Sequence, residues 1–225
     1  MPVNFCLSMV KNEIDIIEQF VRYNCRFFDR MFVIDNGSRD GTIEVLRSLV
    51  AEGLPLELWH SSDASHNKSL TMTLHYHTLA RKHRFDVLFL LDADEFIRAD
   101  NRAAVDTLLA GHPGADFLVM PWMTYVLTDT KTSPNGLFES IRHRRRAERT
   151  TVYKSILLHD PATAEKIRIG EGNHWLFSDR ELKAQEITLP LAHFPVRSQA
   201  QIASKAVCGW LARVCFDPKA RQKTS

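Results

Sequence analysis

Val87-Leu88-Phe89-Leu90-Leu91-Asp92-Ala93-Asp94-Glu95-Phe96 is the most informative stretch of this 225-residue chain. Its five leading apolar residues read as a strand buried on both sides, the kind that belongs to a parallel sheet covered by helices on both faces. Asp92 and Asp94 follow at once. Carboxylates at the end of such a strand are costly unless a cation or cationic side chains neutralise them. Oxygen ligands suit Mg²⁺ or Mn²⁺, and Mg²⁺ is commonly held by one or two carboxylates together with substrate phosphates. An Asp-x-Asp pair alone also fits a solvated turn, and it is the position of this pair that favours the cation.

Upstream of this stretch the chain alternates strand and helix. Val3 to Met9 reads as a first strand. Ile14, Ile17, Phe20, Val21 and Asn24 then recur at helical spacing, with Asn12 placed to cap them. Met31-Phe32-Val33-Ile34 is a second strand, and Ile43, Leu46, Leu49 and Val50 mark a helix for which Asp40 is the expected N-cap. Leu54 to Trp59 is a third strand and Lys68 to Arg84 a helix. The expected fold is therefore α/β, a doubly wound, mostly parallel sheet with helices on both faces. In such sheets ligands bind beyond the carboxyl ends of the strands. Asp35 stands there beside the Asp92/Asp94 pair, placed to accept hydrogen bonds from a base or ribose.

Downstream the alternation fades. Phe117 to Leu127 reads as a buried strand and its exit, and residues 121–195, rich in Thr, His, Arg and Trp, as short strands and loops that cover the site. Ser198 to Phe216, with Ile202, Val207, Trp210, Leu211 and Val214, is a closing helix, and residues 217–225 are a tail. One domain over residues 1–225 is expected, with a nucleotide-binding half at 1–100 and an acceptor and cover half at 101–216.

A net charge of +2 selects no partner. The start has neither the basic segment nor the long apolar core of a secretory signal, and no apolar run reaches the length of a membrane span. Cys6, Cys25, Cys208 and Cys215 show no metal-ligand or disulfide spacing and read as free thiols in a reducing compartment, so a cytoplasmic location is expected. Arg142-His143-Arg144-Arg145-Arg146, followed by Arg149, is the one strong charge run. It fits a solvated face, recognition of an anionic acceptor, or peripheral contact at the inner face of a membrane. Without a binding module around it, nucleic acid is not an expected partner.

Three segments together, Val10-Lys11-Asn12-Glu13, Ile34-Asp35-Asn36-Gly37-Ser38-Arg39-Asp40-Gly41-Thr42 and Leu91-Asp92-Ala93-Asp94-Glu95-Phe96, resemble a family 2 glycosyltransferase of GT-A fold. The Asp-Ala-Asp-Glu-Phe form resembles a bacterial branch of small, soluble members. The match is specific over residues 3–98 and looser to about residue 205. The resemblance implies a nucleoside diphosphate sugar donor, a hydroxyl acceptor on a glycan or lipid-linked carrier, transfer with inversion, and Mn²⁺ or Mg²⁺. It places Glu13, Asp35 and Asp92 on the nucleoside and Asp94, with Asp92, on the metal. His193 and His174 become candidate further cation ligands. Lys154 is a candidate phosphate partner. Asn67 and Lys68 are candidate donor contacts, although Ser65-His66-Asn67-Lys68 lacks the Gly and Ala usual around that Asn. Glu171, in a loop with two glycines, is the candidate catalytic base among Asp129, Glu148, Glu171 and Asp179.

Two other enzyme classes and a binding module compete with this reading. A nucleotidyltransferase acting on a sugar phosphate would want a glycine-rich loop after the first strand, where Ser8-Met9-Val10-Lys11-Asn12 has none. An aspartyl phosphatase would carry its Asp-x-Asp on the first strand. A catalytically inactive nucleotide-sugar-binding module would keep every feature except turnover.

Overall fold

β1 (Asn4–Val10), β2 (Arg30–Asp35), β3 (Leu56–His60) and β4 (Val87–Leu90) run parallel in the order β3-β2-β1-β4 in the computed structural model, which describes residues 1–61, 68–128, 138, 141–148 and 152–216. Successive side chains of a strand point to opposite faces. Cys6, Met31, Val33, Val87 and Phe89 therefore enter one core, and Phe5, Leu7, Phe32, Ile34, Leu88 and Leu90 the other. The helices are α1 (Ile17–Asn24), α2 (Thr42–Ala51), α3 (Lys68–Lys82) and α4 (Arg102–Ala110). α1, α2 and α4 fill the first core through Phe20, Leu46, Leu49 and Val105, and α3 fills the second through Met72, Tyr76 and Leu79. Each such buried side chain stabilises the fold by about 1.5–3 kcal/mol. The expected doubly wound α/β architecture is present.

The second half differs from a separate cover. After β5 (Glu95–Ile97), β6 (Phe117–Val126), β7 (His143–Arg144), β8 (Tyr153–Leu158), β11 (Ala184–Glu186) and β12 (Leu191–His193) continue the same sheet, and β9 (Arg168–Ile169) pairs with β10 (Leu176–Phe177) apart from it. The order beyond β4 is β8-β6-β12-β5, with β7 and β11 also on β6. β8 is antiparallel to both β4 and β6, so it lets the sheet run on without another crossover helix.

Two loops at the carboxyl ends of β1 and β2 are stitched together. The amides of Asn12, Glu13 and Ile14 donate to the Ser38 hydroxyl, the Thr42 hydroxyl and the Asp40 carboxylate, and the Arg39 amide donates to the Asn12 side chain. Asn12 thus joins loops rather than capping α1, which starts a turn later, at Ile17. Asp40 is also displaced from its expected role. Gly41, at φ 101°, is the cap residue of α2, and Asp40 reaches past it to take the Thr42 amide at 3.0 Å and hydroxyl at 2.6 Å. Gly41 is held to glycine by its left-handed φ, with Ile14 Cδ1 3.3 Å from where a Cβ would stand.

Burial pushes the Asp40 carboxyl up, but the bonds from Thr42 and Ile14 outweigh it and hold it below the ordinary aspartate value. Its contribution is therefore fully present above about pH 4 and lost as pH falls through the lowered value. Asp40→Ala should cost about 1–2 kcal/mol, read as a lower urea midpoint at unchanged slope. An unchanged midpoint would show that the two loops are held by their other bonds.

The last helix, α5 (Gln199–Phe216), is tied down through Gln201, which bonds Pro195 and Arg197, and through Lys205 one turn later. The Ser198 hydroxyl accepts from the Gln201 amide and caps its start. Ile202, Val207 and Trp210 are exposed, and the contacts that hold the start of the helix are polar; the side chains of Leu211 and Val214 lie outside the described ones.

Candidate functional site

The chain turns from β4 into β5 through Asp92 to Glu95. The Glu95 amide donates to the Asp92 carbonyl at 3.1 Å, and the Asp92 amide donates to Glu95 Oε2 at 2.8 Å. Glu95, His193 and Thr124 are register neighbours on β5, β12 and β6 and so share one face of the sheet. Asp94 lies beside them. Ligand atoms of Asp94, Glu95 and His193 all fall within 4.8 Å of one another.

These residues fit a divalent cation. Asp94 Oδ1 and His193 Nε2 are 3.8 Å apart, a gap that two bonds of about 2.1 Å to one ion would span. His193 packs against the Trp122 ring at 4.2 Å, and burial lowers its pKa, which favours the neutral imidazole that ligates metals. His193 Nδ1 and the Trp122 indole N–H are buried without a hydrogen-bond partner among the described residues. Two carboxylates plus an imidazole suit Mn²⁺ better than Mg²⁺, which prefers oxygen.

Asp92 and His174, expected as ligands, stand outside this cluster. Asp92 is instead held by Lys68, by Lys154 Nζ at 2.8 Å and by the Asn173 side-chain Nδ2 at 3.3 Å. Burial raises its pKa, but the two lysine cations prevail and hold it far below the usual range. His174 Nδ1 bonds the Tyr153 carbonyl, and its ring lies so close to Gly172 that a Cβ there would collide with it.

Lys154 is fully buried, and its ammonium faces Asp92 Oδ2 at 2.8 Å, the Gly172 carbonyl at 2.8 Å and Glu95 Oε1 at 3.0 Å. Hydrogen bonds to Asp92 and the Gly172 carbonyl, with the ion pair to Glu95, direct the ammonium into the protein. Burial pushes the Glu95 carboxyl up to about 8; Lys154 opposes this, and the Asp92 and Asp94 charges add to it. A cation seated beside Glu95 would favour its ionised form.

A second network crosses from the β1 loop to α5. Arg197, buried, holds Asp15 at 2.7 Å and Glu13 at 2.5 Å, with Asp94 Oδ2 3.6 Å away. Lys205 lies 3.1 Å from Glu13 and 3.5 Å from Asp94. Glu13, expected on the nucleoside, is thus paired with cations near Asp94. Asp35, at the end of β2, is buried and accepts from the Gly37 and Ser38 amides, which closes its own loop. Asn67 lies outside the described residues. Glu171 is exposed, on a one-turn helix beside Asn173. Next to this network a cavity of about 350 Å³ opens between the β1 and β2 loops and α5, lined by Asn12, Arg39, Asp40, Ser198, Gln201 and Lys205.

Glu95, Arg197, Lys205 and Asn173 were not singled out by sequence reasoning. Glu95 was quoted within the Asp-Ala-Asp-Glu-Phe motif but given no role. Arg197 and Lys205 lie more than 100 positions from their partner Asp94, and nothing in the linear sequence marks such pairs.

Compared with protein-family models and with curated proteins, the sequence matches none. Solved structures share part of the fold. A GalNAc-T7 crystallised with UDP, GalNAc and Mn²⁺ is 13% identical, over 88% of this chain and 45% of its own, with a TM-score of 0.49. Residues 1-349 of S. aureus TarS are 13% identical, over 82% and 60%, with a TM-score of 0.47. A mannosyltransferase from Pyrobaculum calidifontis, in complex with GDP-Man and Mn²⁺, is 18% identical, over 53% and 35%, with a TM-score of 0.41. The chain thus spans less than two thirds of the length of each. Among the described residues, no helix is long and apolar enough to cross a membrane.

Proposed function

We propose that this protein is a glycosyltransferase that moves a sugar, with inversion, from a nucleoside diphosphate sugar to a hydroxyl acceptor. The observation that carries this reading is the juxtaposition of Asp94, in the turn after β4, with Glu95 at the start of β5 and His193 at the end of β12. Those three side chains would hold Mn²⁺ or Mg²⁺. Such a cation stabilises the charge that develops on the leaving diphosphate.

The chain's own residues divide the remaining work. The cavity beside Asn12, Arg39 and Gln201 takes the nucleoside, and its volume suits a small ligand. Lys205 lies between that cavity and Asp94, placed to accompany the diphosphate. Lys68 and Lys154 keep Asp92 ionised and fixed, while Asn173 ties the turn bearing Glu171 to it. Glu171 is the proposed base, since its exposed carboxylate can meet an acceptor hydroxyl. Among the described alternatives, Glu148 spends both oxygens on the Thr124 amide and hydroxyl, and Asp179 is paired with Lys166.

Calorimetry of UDP and GDP with and without Mn²⁺ tests the metal assignment. Wild type should bind more tightly with the metal, and Asp94→Asn should reduce its affinity to the metal-free value at unchanged thermal stability. Mn²⁺-dependent tightening that survives in Asp94→Asn would move the cation elsewhere. Donor binding with neither transfer nor donor hydrolysis would indicate a binding module.

A further inference from the structure

We propose that Trp122 is the wall against which the transferred sugar lies, its indole carbons meeting the C–H surface of a pyranose ring and so helping to decide which nucleotide sugar is accepted. The sugar rests on the transferase reading above; the placement of Trp122 is independent of it.

Four strands build one floor. Alternation along β6 puts Met120, Trp122 and Thr124 on the same face of the sheet. Lys154 of β8 is the register neighbour of Met120, His193 of β12 that of Thr124, and Glu95 of β5 that of His193. Trp122 therefore stands on the strand between Lys154 and the candidate cation ligands His193 and Glu95. Its ring centroid lies 4.2 Å from that of His193 and 5.2 Å from that of His174, with Lys154 Nζ 5.7 Å away. His174 ends the turn that Glu171 begins, and its amide donates to the Glu171 carbonyl at 3.4 Å. One indole thus reaches from a candidate cation ligand to the turn that bears the candidate base.

An inverting transfer fixes what lies along that line. The base and the leaving diphosphate stand on opposite sides of the reacting carbon, so the sugar ring lies between them. The polar neighbours of Trp122 on the floor are already engaged, Lys154 with Asp92 and Glu95, and Thr124 with Glu148. Trp122 is half-buried, and its indole nitrogen is among its buried atoms. The side chain therefore offers a ligand a carbon surface rather than a hydrogen-bond donor. A pyranose ring has the complement, C–H groups gathered between its hydroxyls. A tryptophan also gives much contact area while ordering only two side-chain torsions.

The test compares nucleotides with nucleotide sugars by calorimetry in Mn²⁺, using UDP, UDP-glucose, UDP-N-acetylglucosamine, GDP and GDP-mannose on wild type, Trp122→Leu and Trp122→Phe. The decisive ligand is the nucleotide sugar that wild type binds best. Trp122→Leu should bind it about tenfold more weakly, while its affinity for the parent nucleotide stays within about twofold of wild type. Trp122→Phe keeps an aromatic ring and should lose less. Equal weakening of nucleotide and nucleotide sugar would overturn the proposal, because Trp122 would then serve only to hold His193 in place. Unchanged affinity for both ligands in the two variants would overturn it as well. A wild type that binds none of the five ligands would instead overturn the transferase reading, and the sugar with it.

Discussion

Lys154→Met should destabilise the protein by about 3–5 kcal/mol, the cost of breaking a buried ion pair from one side. The methionine nearly matches the lysine stem in shape, so little of this loss comes from a cavity. It arises because Asp92 and Glu95 would face each other without the ammonium that now lies 2.8 Å from one and 3.0 Å from the other. Glu95 is fully buried and cannot turn to water for compensation. The Gly172 carbonyl would also lose its donor, loosening the turn that carries Glu171 and Asn173. Urea unfolding followed by circular dichroism measures the loss. Lys154→Met/Asp92→Asn should recover part of it, because the second change removes the carboxylate charge that the lysine holds ionised. A loss below about 1 kcal/mol, within the range of an exposed pair, would mean that solvent reaches this group and that it is not the electrostatic anchor of the turn.

Glu171→Gln should keep nucleotide and Mn²⁺ affinity and lose transfer by about two to four orders of magnitude. An inverting transfer needs a carboxylate on the side of the sugar opposite the leaving diphosphate, and the amide that replaces it cannot take the acceptor proton. Glu171 follows Gly170 and precedes Gly172, whose φ is 64°, and Asn173, whose φ is 60°. These left-handed residues, with the bonds from Lys154 to Gly172 and from Asn173 to Asp92, fix the backbone beside Asp92 while the carboxylate itself stays exposed. Single-turnover kinetics with saturating donor separate the chemical step from binding. Near-normal turnover in Glu171→Gln would reject it as the base. Asp129→Asn and Asp179→Asn would then be the informative variants.

Much of this molecule could be read along the chain. The strands Met31 to Ile34 and Val87 to Leu91 are continuous apolar runs, and a backbone buried on both faces admits little else, so their identity and parallel pairing follow from local composition. The positions of Asp92 and Asp94 beyond the strand followed as well, because charge cannot continue into that core. The mixed half resisted. β12 and β5 are three residues each, too short for periodicity to show, and their pairing, which brings His193 beside Glu95, is fixed only by the sheet as a whole. The partners that separate Asp92 from Asp94 were equally hidden. Two identical side chains two positions apart look alike in sequence. Only tertiary packing sets one against Lys68 and Lys154 and the other against His193, because the cations come from α3 and β8 and the imidazole from β12.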